Sequence, residues 1–317
     1  MSRDRHPERP HDEARERHAD SGREAPRSGR AGTAKRHANV PSRDVRDALI
    51  RQLDLPRGDA REHVWLRDQE FRLRGSDVRT LGAVGAFRVV DVQDIAAGRR
   101  DVWHGDLDHL RRCGLIELKP HVLEGQRTAI AALTPRGQAL LEQHQRASRD
   151  EMRQVYYAGV AKPRELAHDA RIYRAYTETA TRLQDAGARV TRVVLDYELK
   201  REYQRFLQEH NRGDRWSDGR PDRSPEEIRT WAAVHGLPVV EDHVQFPDVR
   251  VEYEWPDGRR EQRDVEVATA DYNSRQMAAK RASGFTMHQS GTSRLRGGSS
   301  GRGGSPFDPH AAEQVLR

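Results

Sequence analysis

The sequence predicts a mixed protein, α+β or α/β in class, in which two small domains sit between a disordered polar N-terminal arm and a flexible C-terminal tail. Three observations lead there. Large apolar side chains concentrate between residues 64 and 287, although only 35% of the 317 residues are hydrophobic and 33% are charged, so the ends have little with which to offset the entropy of ordering. Inside that span, segments with apolar residues three and four apart alternate with short β-branched runs, the pattern of helices interleaved with strands. A polar stretch, Ser148 to Gln154, then divides the span into two parts, each near the roughly 100 residues of a small domain. The expected boundaries are an arm over 1–63, a first domain over 64–147, a linker over 148–164, a second domain over 165–287 and a Gly/Ser/Arg tail over 288–317.

In the first domain Ser76 can cap a helix along which Val78, Leu81, Val84 and Phe87 recur at helical spacing. A short helical segment, Val92 to Ala97, ends at Gly98. Trp103, Leu107 and Leu110 then mark one face of a helix from about Asp101 to Arg112, which stops at Gly114. Leu115-Ile-Glu-Leu and Thr128-Ala-Ile-Ala-Ala-Leu flank a loop at Gly125 and make a two-stranded wing. Thr134-Pro135-Arg136 starts a last helix, because proline is pre-set for the first helical position.

The second domain opens with a helix over 165–185, carrying Leu166, Ala170, Tyr173, Tyr176 and Ala180, and continues into a strand from Val190 to Leu195. A helix through Tyr203, Phe206 and Leu207 follows, then a long polar loop from Asn211 and a helix from Glu226 to Val234. Val249, Val251, Tyr253 and Trp255 alternate with polar residues before the turn Pro256-Asp257-Gly258, and Val265 and Val267 alternate beyond it. Registered about Asp257, Val249 faces Val265, Arg250 faces Asp264 and Glu254 faces Arg260, so apolar and opposite-charge partners coincide. That register sets Asp248 opposite Glu266 on the polar face, with Cβ atoms ~5 Å apart. Their repulsion is relieved by a divalent cation, a shared proton or a nearby cation such as Arg250, and a solvated acidic patch fits these residues equally well.

Composition excludes several classes. One cysteine, Cys113, allows no internal disulfide, and no Cys/His spacing suits a zinc site; Cys113 reads as a small core residue. The absence of an 18-residue apolar run and of signal-peptide order leads to an expectation of a cytoplasmic protein with no membrane partner. The formal charge of +6 suits a polyanion, but five lysines against 51 arginines reflect a compositional bias, so arginine abundance alone says little about DNA.

The run Leu110-Arg-Arg-Cys-Gly-Leu-Ile-Glu followed by Leu133-Thr-Pro-Arg-Gly-Gln-Ala-Leu-Leu resembles the winged helix-turn-helix of MarR- and PadR-like regulators. The resemblance implies that the helix ending at Arg112 enters the major groove. His104, Asp108, His109, Arg111 and Arg112 would then reach DNA, and the wing at Gly125, Gln126 and Arg127 would touch the backbone or minor groove.

Farther on, Phe246-Pro247-Asp248, a hairpin, Asp264-Val-Glu266-Val and a helix carrying Lys280 look like the PD-(D/E)xK nuclease-like core. The combination is similar to replication-relaxation proteins of plasmids and integrative elements, which also place a His-Asp pair in the first helix of that domain, as His168-Asp169 stands here. The resemblance implies that Asp248 and Glu266 hold Mg²⁺ or Mn²⁺, that Lys280 stabilises developing charge, and that His168 or Asp169 orients the attacking water. Position 268 departs from the pattern, since Ala stands where a lysine is expected. Asp196-Tyr-Glu198-Leu-Lys200 is a further acid-rich segment, read either as support for the site or as one solvent face.

The expectation is therefore a DNA-binding protein of a mobile element, tied to plasmid-type replication or DNA processing, whose nuclease-like domain is active or silent. The alternative is a winged-helix transcriptional regulator whose second domain senses a ligand or forms a homodimer. A third reading, a protein-docking adaptor, predicts no salt-dependent DNA affinity.

Overall fold

The computed structural model of the chain describes residues 44–97, 104–123, 125–146, 152–160, 165–211, 221, 223–268 and 274–289, a mixed α+β fold. The packed fold begins earlier than the expected boundary at residue 64. Helix α1 (Asp47–Ile50) buries Leu49 and Ile50, and Val45, Leu53 and Leu55 join the same core. A hairpin of β1 (Glu62–Leu66) and β2 (Gln69–Leu73) follows, burying Val64, Phe71 and Leu73 on one side. The expected arm over 1–63 is thus cut short; its residues 1–43 lie outside the described ones.

Helix α2 (Gly75–Ala86) is buried along nearly its whole length. It starts two residues earlier than expected, with Arg74 at the cap, Ser76 inside the first turn and Asp77 Oδ2 accepting from the Arg74 N–H at 3.0 Å. Gly82 is required where α1 crosses, because a Cβ there would collide with Ile50 Cγ2. Strand β3 (Val90–Asp91) leads into α3 (Val92–Ala96), capped by Asp91, whose Oδ1 accepts from the Gln93 N–H at 2.7 Å. Helix α4 (His104–Arg112) buries Leu107 and Leu110 and ends at Gly114, which takes φ +69°. Strands β4 (Ile116–Leu123) and β5 (Gln126–Leu133) form the expected hairpin, and β3 adds to the far edge of β5, giving the order β3-β5-β4. Thr134 caps α5 (Pro135–Gln143), its Oγ1 accepting from the Gly137 N–H at 3.1 Å.

The second part is a four-stranded sheet in the order β11-β10-β9-β6. Helix α6 (Leu166–Asp185) buries Ile172, Tyr173, Tyr176, Ala180 and Leu183 against it. In β6 (Arg189–Leu195), Val193 and Leu195 join the main core, while Val194 between them belongs to a smaller cluster on the other side, with Leu199, Ala232 and Leu237. Leu199 lies in α7 (Asp196–Leu207) and Ala232 in α8 (Pro225–Val234), and a short hairpin of β7 (Val239–Val240) and β8 (His243–Val244) follows. Strands β9 (Val249–Glu254) and β10 (Arg260–Ala268) pair in the expected register, Val249 opposite Val265, Arg250 opposite Asp264 and Glu254 opposite Arg260. From β10 the chain crosses through α9 (Ser274–Ala282) to β11 (Thr286–Gln289), parallel to β10, so strand structure extends past the expected start of the tail at 288.

The two parts share one hydrophobic core, which runs from Val45 to Val267. Phe87, at the end of α2, meets Tyr173 edge-on with centroids 5.2 Å apart and Tyr176 at 4.9 Å. Residues 152–160, expected as linker, pack between the parts. The Tyr156 hydroxyl donates to Leu49 O at 2.5 Å, and the Gln154 amide exchanges two hydrogen bonds with the Val193 backbone at 2.9 and 3.0 Å, covering the edge of β6. Among the described residues no helix is long and apolar enough to cross a membrane.

Candidate functional site

The acidic residues singled out in the second part do not lie on a solvated face. The ladder ends at Val249–Val265, and one residue beyond it the Asp248 carboxylate folds back, so that its Oδ2 accepts the Val267 N–H at 2.8 Å. Asp248 is 8% exposed and Glu266 is 0% exposed: His168 of α6 lies against Asp248 and Lys280 of α9 against Glu266, on a face that sequence alternation assigned to solvent.

Each carboxylate has its own cation. His168, in the first turn of α6, donates from Nε2 to Asp248 Oδ2 at 3.2 Å, and its Nδ1 lies 3.7 Å from Asp169 Oδ1. Burial disfavours charge on this imidazole, but the flanking Asp169 and Asp248 outweigh it and lift the pKa to about 10, so the ring is an imidazolium at neutral pH. Asp169 in turn faces Arg88 Nη1 at 3.7 Å. Arg88 comes from the first part of the chain, held at φ +65° just after α2, a role that sequence spacing did not reveal. Glu266 is spanned by the Lys280 ammonium, 3.0 Å from Oε1 and 3.0 Å from Oε2, and the same ammonium donates to Phe246 O at 2.5 Å. The expected Arg250 is used elsewhere, bonding Asp264 at 2.7 and 2.9 Å and the carbonyls of His235 and Gly236.

Three carboxylates thus face three cations: Asp248 and Asp169 share His168 and Arg88, and Glu266 faces Lys280. The nuclease-like resemblance implies a divalent ion held by Asp248 and Glu266. Such an ion needs oxygen ligands open to it, whereas both Glu266 oxygens here face a lysine, and among the described residues no three acidic, histidine or cysteine side chains converge as a ligand set. The residues as arranged do not fit a divalent cation. The further acid-rich segment is also not one face: it forms the first turns of α7, where Lys200 pairs with Asp196 at 2.7 Å, while Glu198 is buried against Arg192. Burial first, opposed by Arg192, raises the Glu198 pKa.

The first part presents the opposite arrangement. Leu107 and Leu110 anchor α4, and the buried Asp106 ties its start to Arg74 through two contacts of 2.7 Å, a positioning role the sequence did not disclose. Asp108 and Arg111 are 57% and 54% exposed and pair at only 3.3 Å, and Arg112 is exposed beside them. Arg127 is exposed near the Gly125 end of the β4–β5 hairpin. His109 departs from the expected set, since its Nε2 contacts the Arg72 carbonyl at 2.9 Å and the ring leans on the β1–β2 hairpin. The side chain of His104 lies outside the described residues. Cys113 is half-buried against the core, and burial, with Asp77 nearby, raises its thiol pKa, which suits packing rather than thiolate chemistry.

A cavity of about 410 Å³ lies beside the outer end of the larger sheet, lined by Gln52, Met152, Arg192, Glu252, Tyr253 and Gln262 among others. Searches with the whole chain find no match: no family model, no curated protein and no solved structure is significantly similar to it.

Proposed function

We propose that the chain is a DNA-binding protein of the kind carried by mobile elements and linked to plasmid-type replication or DNA processing, and that it reads DNA through a winged helix formed by α2, α3, α4 and the β4–β5 hairpin. The observation that carries this reading is the pairing of that element order with an α4 whose buried side is fixed by Leu107, Leu110 and Asp106 while Arg111 and Arg112 stay exposed. A helix held rigidly on one side and basic on the other suits major-groove entry, and Arg127 suits backbone contact from the wing. In this reading the nuclease-like domain grips or organises DNA without cleaving it, because its acids are neutralised internally.

The test is a mobility shift of labelled duplex DNA over a salt series. Wild-type affinity falls steeply with salt, and Arg111→Ala with Arg112→Ala weakens binding and flattens the slope by roughly one per lost phosphate contact. Affinity and slope unchanged in the double variant would remove α4 as the DNA-reading helix. A second reading, a transcriptional regulator that senses a small ligand, is favoured by the cavity at Gln52, Arg192 and Glu252, whose size falls within the ~300–1,000 Å³ of ligand pockets.

A further inference from the structure

The acid cluster contains a cation of its own. Lys280 lies in the last turn of α9, and its ammonium is surrounded by three oxygens: Glu266 Oε1 and Oε2 of β10, each at 3.0 Å, and the carbonyl of Phe246, ahead of β9, at 2.5 Å. Glu266 is 0% exposed, so its charge needs a partner within the protein, and the lysine side chain is itself only 20% exposed. The Phe285 ring lies 5.5 Å from the ammonium, adding a π-face to the oxygens. A carboxylate plus a backbone carbonyl is also the donor set that hard divalent cations take, completed by water.

We propose that the Lys280 ammonium is the resident cation of this cluster, occupying the oxygen nest of Glu266 and Phe246 in place of a divalent metal ion. The lysine is one of only five in the chain, and its stem and compact three-donor head suit a three-oxygen nest better than the planar fork of arginine would. The chain therefore keeps the geometry of a cation site while needing no ion to fill it. Removing the ammonium while leaving Glu266 in place recreates a site that a hard divalent ion can enter. The inference does not depend on DNA binding, because metal titration requires no DNA.

The experiment uses the full chain and Mn²⁺ as probe, with bound ion read by electron paramagnetic resonance and the unfolding midpoint read by a thermal scan with and without Mn²⁺ or Mg²⁺. Wild-type protein is expected to bind no Mn²⁺ and to keep its midpoint in either ion. Lys280→Ala is expected to lower the midpoint without metal, to bind about one Mn²⁺ per chain, and to recover part of the lost midpoint when Mn²⁺ is present; adding Glu266→Gln abolishes both gains. Where Lys280→Ala does not fold, Lys280→Gln, of similar length and uncharged, takes its place. Mn²⁺ bound by the wild type and lost in Glu266→Gln would overturn the proposal, as would a folded Lys280 variant that binds none.

Discussion

The α4 surface and the acid cluster are both rich in charge, and they spend it in opposite ways. Along α4 the basic side chains are exposed and paired loosely, Arg111 with Asp108 at 3.3 Å, so their charge remains available to a polyanion. In the cluster each acid faces a cation supplied by another element: Asp169 faces Arg88, Asp248 faces His168 and Glu266 faces Lys280. In the proposed reading those acids act as struts, tied by His168, Lys280 and Arg88 to α6, α9 and the turn after α2, rather than as open ligands.

The strongest way to break this comparison is through the core that joins the two regions. Phe87→Ala removes the ring packed on Tyr173 and Tyr176 and should cost about 3–5 kcal/mol. Because one core spans both parts, far-ultraviolet circular dichroism and tryptophan fluorescence should report a single, shifted urea transition; two separate transitions would show that the parts unfold independently.

Breaking the cluster itself comes next. Lys280→Met takes the ammonium from the buried Glu266 carboxylate and should cost about 3 kcal/mol, while the double change Lys280→Met with Glu266→Leu should cost far less, since an ion pair replaced by packed apolar groups loses little. Urea titration of the two single variants and the double variant gives the coupling. A double-variant cost equal to the sum of the two single costs would mean the pair does not act as a unit.

The third prediction concerns pH. The His168 pKa is raised from its ordinary 6.5 to about 10, so the stability it contributes is fully present below pH 6.5 and is lost as pH climbs through about 10. The stability difference between wild type and His168→Gln should therefore shrink across that window. A constant difference from pH 6 to pH 10 would show that the imidazolium is not what holds Asp248.

The smallest effect sharpens the other side. Asp108→Ala removes an exposed pair and should change stability by less than about 0.5 kcal/mol, yet it should strengthen DNA binding by removing a negative charge from the α4 face. A loss of affinity would instead make Asp108 a contact to DNA in its own right.

Local features were legible in the sequence where the signal itself is local. The β9–β10 register follows from a Gly-containing turn and from opposite-charge pairs such as Arg250 with Asp264, all within twenty residues. The helices of the first part follow from Val78, Leu81 and Val84 and from the Thr134-Pro135 start. The β1–β2 hairpin was missed because it turns through Arg67 at φ +52°, with no glycine, proline or asparagine to mark it. Strand β11 was missed because four residues beside a glycine-rich tail give no periodicity. The burial of Glu266 and the arrival of Arg88 at Asp169 depend on which elements pack together, something that alternation along one strand does not encode.

The most direct test of the contrast between an open DNA-reading surface and a closed acid cluster is incubation of the full chain with supercoiled plasmid at low salt, with and without Mg²⁺ or Mn²⁺, beside Asp248→Ala. The account predicts plasmid that is retarded on a gel and remains supercoiled in every lane. Metal-dependent nicking that disappears in Asp248→Ala would contradict it, and so would plasmid that is neither cut nor retarded.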